Sequence, residues 1–314
     1  MSRYFITGGT GFIGRALVRN LLRRPDTEEI MLLTRGNIQD RPQLFDGLDR
    51  IKYWKGDITE VPFPVNSKFT HLIHGACDAN DLMQPDKHLY YYTIVEGTRR
   101  IMEWAKHVGI GEILFLSSGV AAFRDTVYGR GKRQSEFLGE HYRLPMKIAR
   151  IFSIVGEEMP LNGQYAIGKF IGQAMDFNQV RVYGGKAVRS YLHVDDCAHW
   201  LEAVMDRGEP HVPYEIGGED AIHVRELADL VGRLLGVPVV EIDGPNKSSI
   251  YVPRALETQI ALNVKQTISL EESIRRVHAY LNLRHPNVEQ VQPVAKDAGL
   301  NHPANNGGLL HHRV

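Results

Sequence analysis

Short apolar runs alternate with amphipathic stretches through the first half of the chain. Tyr4–Thr7, Ile30–Thr34, Ile51–Lys55, His71–Gly75 and Ile113–Ser117 read as strands. Gly14–Leu22, Leu89–Val108 and Gly129–His141 carry the spacing of helices that bury one face. Strand and helix in alternation predict a parallel sheet covered on both sides. The second half is more mixed. Lys147–Ile154 and Gln179–Tyr183 read as strands, and Ala166–Phe177, Val194–Asp206, Val224–Leu235 and Leu270–Leu281 as helices. From about Arg284 the chain turns to Asn, His, Pro, Gly and Gln without apolar periodicity, a composition that predicts a disordered tail over 284–314.

With 314 residues, 43% of them hydrophobic, the chain has enough apolar surface for a large core and a smaller second lobe. Lys plus Arg and Asp plus Glu are both 37, which gives no electrostatic footprint for nucleic acid or an anionic membrane. No apolar stretch approaches the roughly 18 residues of a membrane helix. The start of the chain runs directly into a strand, without the pattern of a signal peptide. Cys77 and Cys197 lack metal-ligand spacing and do not make a disulfide framework, so the expected compartment is the cytoplasm. His311 and His312 lack the other ligands of a metal cluster, and no metal is expected.

The strongest local motif is Thr7-Gly8-Gly9-Thr10-Gly11-Phe12-Ile13-Gly14, between a strand and a helix. Glycines at 8, 9 and 11 permit a tight turn and let the backbone approach a pyrophosphate. Gly14 lets helix and strand pack closely, and the helix start offers unpaired N–H groups to phosphate. A dinucleotide is the ligand this arrangement predicts. An NAD site usually places an acid about twenty residues on. Here Thr34-Arg35-Gly36 ends the second strand, so Arg35 is available for a 2′-phosphate, and NADP(H) is favoured over NAD(H). The plainer alternative is a solvated loop arginine.

Tyr128-Gly129-Arg130-Gly131-Lys132, followed by Glu136, resembles the Tyr-x-x-x-Lys signature of the short-chain dehydrogenase/reductases, and Ser117-Ser118 ends the fifth strand, where that family keeps a Ser or Thr. Positions i and i+4 share a helix face, so Lys132 is placed to lower the Tyr128 pKa from about 10. Tyr128 would then exchange a proton with a sugar hydroxyl while hydride moves to or from the nicotinamide. Ser118, which fits the family register better than Ser117, would hold the reacting oxygen. From Tyr4 to about Leu281 the chain is similar to the extended branch, whose members mostly modify nucleotide-diphosphate sugars. By that resemblance Asp57-Ile58 contacts adenine, and Gly75-Ala76-Cys77 passes the cofactor, with Ser117 and Lys132 also against it. Gly97-Thr98 and Ala149–Gly156 fit the family helix and strand. Arg189, in Arg189-Ser190-Tyr191-Leu192-His193-Val194-Asp195-Asp196, holds the diphosphate, with Asp78 and Ser118 also toward substrate. Arg254 and Lys247 are weaker candidates for the nucleotide.

The expected architecture is an α/β, Rossmann-type doubly wound parallel sheet with a smaller C-terminal substrate-binding lobe. Residues 1–156 and 187–217 would form the dinucleotide domain, and 157–186 and 218–283 the lobe. The expected activity is NAD(P)-dependent hydride transfer at C4 of a nucleotide sugar, an epimerase first. An NADPH-dependent 4-keto-6-deoxysugar reductase is the alternative, and a non-catalytic nicotinamide-sensing regulator is a more distant one. Departures from the family bear on the choice. The stretch from Gly119 to Val127 is short. Gly119-Val120 stands where sugar 4,6-dehydratases place an Asp-Glu pair and decarboxylating relatives a Glu, leaving Asp78 or Asp81 as the only substitutes considered. Ile94 and Ser153 stand where many relatives carry Asn. The resemblance also implies a homodimer through the helices at 89–108 and 129–141.

Overall fold

The computed structural model describes residues 1–36, 49–65, 68–77, 85–161, 165–244 and 247–284. The first half contributes strands β1 (Ser2–Thr7), β2 (Thr27–Thr34), β3 (Ile51–Lys55), β4 (His71–His74), β5 (Glu112–Ser118) and β6 (Met146–Ile151). Its helices are α1 (Phe12–Arg23), α2 (Lys87–Val108), α3 (Val120–Phe123), α4 (Val127–Glu136) and α5 (Leu138–Tyr142). The second half continues with β7 (Ile154–Val155), α6 (Ala166–Phe177), β8 (Val180–Tyr183), β9 (Val188–Arg189), β10 (Leu192–His193), α7 (Val194–Arg207) and β11 (Pro213–Ile216). It closes with β12 (Ile222–His223), α8 (Val224–Leu235), β13 (Val239–Ile242), β14 (Ile250–Tyr251), α9 (Ala255–Leu262) and α10 (Leu270–Arg284).

Seven strands pair in the order β11-β6-β5-β4-β1-β2-β3, all parallel. Side chains alternate across each strand, so β1 sends Tyr4 and Ile6 to one face and Phe5 to the other. Tyr4 and Ile6 join Leu17 and Leu21 of α1, Ile30 and Leu32 of β2, and Trp200 of α7 in one core. Phe5 joins Leu72, Ile113, Phe115 and the α2 residues Ile101, Met102 and Trp104 in the other. Both faces are covered, as the near-continuous apolar strands require. The order reverses at β1, which opens a crevice between the carboxyl ends of β1 and β4, the place where such sheets bind ligands.

A third core, with Ile167, Phe170 and Ile171 of α6, Val180 and Val182 of β8, Leu227 and Val231 of α8, and Ile274 and Val277 of α10, lies in the C-terminal half. The chain exchanges segments between the two halves. β11 and α7 join the large sheet, but β9 pairs with β12 and β14 in a separate three-stranded sheet. Ala255, Leu262 and Val264 belong to the first core, although 218–283 was expected in the lobe. Asp196, at the start of α7, accepts from the Thr267 and Ile268 amides and the Thr267 hydroxyl, fastening this crossing.

Two expected elements are broken. The helix predicted over 129–141 divides at Phe137 into α4 and α5, which lets Gly139 lie on Met146 where a Cβ would come within 2.6 Å. The strand predicted over 147–154 ends at Ile151. There the Phe152 amide donates to Ile216 at 2.8 Å, and the chain leaves the sheet to begin β7. Among the described residues no helix is long and apolar enough to cross a membrane. The expected tail, with His311 and His312, lies outside the described residues except at Arg284.

Candidate active site

The glycine loop lies at the carboxyl end of β1. Gly8 has φ +77°, and a Cβ there would come within 2.5 Å of the Gly75 carbonyl carbon and 2.8 Å of the Ala76 nitrogen. A Cβ on Gly14 would collide with the Gly8 carbonyl oxygen, and one on Gly9 with Leu32. The Gly11 amide donates to Gly8 at 3.1 Å, closing the turn, and the Thr10 carbonyl accepts from Arg15 at 2.9 Å. Phe12 packs against both the first and third cores, and Ile13 against the first. Gly11 caps α1 with no side-chain bond, and the first turn holds no acid, so its amides face the crevice uncompensated. This cradle, which a Cβ at 8 or 14 would fill, fits a pyrophosphate.

Gly75 and Ala76 are fixed from below. The Thr98 hydroxyl donates to the Ile94 carbonyl at 2.8 Å, which leaves its oxygen to accept from His74 Nε2 at 3.0 Å. His74 Nδ1 then accepts from the Thr7 hydroxyl at 2.7 Å, and the Thr7 oxygen accepts from the Gly75 and Ala76 amides at 3.2 and 3.1 Å. The chain of bonds thus assigns one tautomer to His74. Burial, helped by the Lys132 charge, lowers the His74 pKa from 6.5 to about 3. In the unfolded chain the imidazole titrates near 6.5, so below that pH the unfolded state binds a proton that the folded state refuses. Stability contributed by the neutral ring is complete above pH 6.5 and falls between 6.5 and 3, by at most about 1.4 kcal/mol per pH unit. Urea unfolding at pH 7 and pH 5 is expected to show this loss, with a smaller difference in His74→Asn.

At the end of β2, Arg35 is 80% exposed, 3.8 Å from the Asp57 carboxylate. Asp57 also accepts from the Thr59 amide and hydroxyl. Ile58 is buried against Gly97 of α2, so it serves the second core more than an open adenine surface.

Ser117 and Ser118 end β5 on opposite faces. Ser117, expected against the cofactor, donates to Glu136 Oε1 at 2.6 Å, and Glu136 takes a bidentate pair from Arg150 at 3.0 and 2.7 Å. Its side chain is therefore committed beneath the site. Ser118 faces the phenol of Tyr251, which β14 brings in from the lobe and stacks on Phe152 at 4.7 Å. Tyr128 and Lys132 lie one turn apart on α4, with Lys132 Nζ 5.9 Å from the Tyr128 ring centroid and 4.9 Å from that of Phe115. Lys132 donates to the Leu116 carbonyl at 2.9 Å. Thr126 caps α4 by accepting from the Gly129 amide.

The expected lowering of the Tyr128 pKa does not occur in the chain by itself. Burial raises it well above 10, and Cys77, Tyr165, Tyr90 and Tyr251 act in the same direction. The Tyr90 ring lies parallel to it at 6.4 Å. Burial likewise lowers Lys132 from 10.5, opposed by Cys77 and Glu136. A buried ammonium beside a buried phenol nevertheless favours the phenolate, so the pair is arranged for proton exchange. Arg189 donates to the Val188 and Ser249 carbonyls and to Ser249 Oγ, beside Tyr251 in the paired strand. Arg254 is turned to Glu215 and Glu257. Asp78 and Asp81 lie outside the described residues, and nothing in the structure places Lys247 at the site.

Sequence reasoning missed Tyr251, Tyr90 and the Thr7–His74–Thr98 chain. Thr7 and His74 sit at the ends of expected strands and Thr98 in the middle of an expected helix, and no spacing rule joins them. Tyr251 had no local signal.

A parallel sheet with a glycine cradle at its switch point and a Ser, Tyr and Lys beside it defines a nicotinamide-dinucleotide enzyme fold of the extended short-chain dehydrogenase/reductase type. The profile of the NAD dependent epimerase/dehydratase family matches residues 4–217, and the chain belongs to that family. A UDP-glucuronic acid decarboxylase 1 of Arabidopsis thaliana is 28% identical over 312 residues, 88% of this chain and 68% of the relative. A dTDP-glucose 4,6-dehydratase of Streptomyces griseus is 27% identical over 74% of this chain and 78% of its own. Among solved structures, a dTDP-glucose 4,6-dehydratase from Streptomyces venezuelae with NAD bound superposes with a TM-score of 0.79 at 20% identity, covering 90% of this chain and 98% of that one. A UDP-glucose 4-epimerase of Thermotoga maritima gives 0.76 at 18% identity, over 90% and 99%.

Proposed function

We propose that the protein oxidises and reduces C4 of a nucleotide-diphosphate sugar, as an epimerase. The carrying observation is the Tyr128–Lys132 pair one turn apart on α4, with Tyr251 interacting with both Ser118 and Tyr128 and with Gly119 following the serine. The acid that dehydratases and decarboxylases use there is absent, and a Cβ at Gly119 would lie 2.6 Å from the Phe152 ring, which would have to move to admit a larger residue. The nearby buried carboxylate, Glu136, is held by Ser117 and Arg150. The names of the relatives support a nucleotide sugar as substrate, and their reactions differ. The bound dinucleotide would accept hydride from C4 and return it. Tyr128 takes the hydroxyl proton as the carbonyl forms and gives it back on reduction, Lys132 favours its charged form, and Ser118 orients the oxygen. Incubation with UDP- and dTDP-hexoses, followed by proton NMR of the sugar, is expected to show inversion at C4 without net cofactor consumption. Release of a 4,6-dehydrated or decarboxylated sugar would refute the epimerase.

A 4-keto reductase is the second reading, and Arg35 favours it because its exposed guanidinium, 3.8 Å from Asp57, would turn from that carboxylate to a 2′-phosphate. On the NADP(H) reading, Arg35→Ala weakens NADPH binding about tenfold, the size of a charge-assisted bond at an exposed site, and leaves NADH unchanged. Equal affinities for both cofactors in the wild type would point to NAD(H).

The site acts in a cytoplasmic homodimer on this reading. Leu89 and Tyr92 of α2 are 60% and 55% exposed and would be covered there. Light scattering at micromolar concentration should give twice the chain mass, and a monomer mass would sink the dimer.

A further inference from the structure

A second cation stands in the same pocket. Arg124 ends the short turn that carries the chain from Ser118 to Tyr128. Its amide donates to Val120 at 3.1 Å, and its carbonyl accepts from Arg133, whose Nε also donates to the Ala121 carbonyl at 2.7 Å. The backbone at Arg124 is therefore tied to α3 and α4. Its guanidinium lies 5.2 Å from the centroid of the Tyr251 ring. Tyr251 faces Ser118 on one side and pairs with Arg189 across β14 and β9 on the other. Among the described residues, neither Arg124 nor Arg189 has a carboxylate within ion-pair distance, although Arg189 donates to the Val188 and Ser249 carbonyls and to Ser249 Oγ; Arg130 and Arg150 nearby are paired with Asp125 and Glu136. Burial, with the repulsion of Arg124, lowers the Arg189 pKa. Two like charges that repel one another beside Tyr251, without a carboxylate partner among the described residues, leave a positive potential that an incoming anion would relieve.

We propose that Arg124 is a substrate-binding residue that joins Arg189 in a two-arginine site for an anionic group of the nucleotide sugar. The inference rests on the nucleotide-sugar reading above and adds a recognition residue to it. The shared chemistry is an oxyanion, supplied either by the diphosphate or by a carboxylate on the sugar. Arg124 lies in the turn between Ser118 and Tyr128, the two residues assigned to C4.

The test is calorimetric binding of UDP, UDP-glucose and UDP-glucuronic acid to the full chain saturated with dinucleotide, in the wild type, Arg124→Gln and Arg124→Lys. Arg124→Gln is expected to weaken binding about tenfold or more, with partial recovery in Arg124→Lys and a shallower salt dependence. Equal loss for all three ligands identifies the diphosphate, and loss confined to UDP-glucuronic acid identifies a sugar carboxylate. Either supports the site. Affinities in Arg124→Gln equal to wild type for every ligand would overturn it. A wild-type chain that binds none of these, nor their thymidine counterparts, would instead overturn the nucleotide-sugar reading and the inference with it.

Discussion

Replacing Tyr128 with phenylalanine is expected to reduce turnover about 10²- to 10⁴-fold, the range of a positioned general acid–base group, while dinucleotide affinity stays within a few-fold of wild type. The ring remains, so its parallel contact with Tyr90 and its place above Lys132 persist. Only the phenolic oxygen is lost, and that oxygen, as the phenolate, takes the proton. Among the described residues, the nearby carboxylate that could replace it, Glu136, is engaged by Ser117 and Arg150. Burial raises the Tyr128 pKa in the chain without dinucleotide, so phenylalanine removes a group that is neutral in that state and should leave the fold intact or slightly more stable. Steady-state rates and a dinucleotide titration on the same preparation check both halves. Unchanged turnover would remove Tyr128 from the chemistry. A nicotinamide-sensing regulator would be the reading to adopt if cofactor-dependent function survived as well.

Placing alanine at Gly14 is expected to weaken dinucleotide binding about 100-fold or more. Its Cβ would enter the Gly8 carbonyl oxygen and approach the Gly9 Cα at 2.7 Å, and both neighbours are backbone with no rotamer to give way. The glycine loop must shift, taking the α1 amides out of line with a pyrophosphate. The helix itself tolerates alanine better than glycine, so a loss of binding with little change in helicity separates this effect from unfolding. Fluorescence titration and circular dichroism measure the two. Wild-type affinity in Gly14→Ala would mean that the cradle holds some other group.

The strands and most helices of the first half were legible because each buries one periodic face, as Tyr4, Ile6 and Phe5 do on the two sides of β1. The glycine loop and the Tyr128–Lys132 spacing were legible because both are local. Short elements such as β9, β12 and β14 were not, since two residues carry no period. Their position comes from pairing across long stretches of chain, which is also how Tyr251 reaches Ser118. The Tyr128 pKa went against the sequence argument because spacing reveals a neighbouring charge but not the burial that outweighs it. Ser117 followed strand alternation: two adjacent serines cannot both face the crevice, and the buried Glu136 that claims Ser117 lies on the next helix.

Every step proposed for this chain requires a nicotinamide dinucleotide in the glycine cradle, a requirement open to direct measurement. It is tested most directly by denaturing the purified protein and identifying the released small molecules by mass spectrometry and absorbance, with titration of NAD(H) and NADP(H) if none is found. One of these dinucleotides is expected, retained on purification for an epimerase cycle or taken up reversibly for a reductase. Absence of both, together with no binding at millimolar concentration, would contradict it.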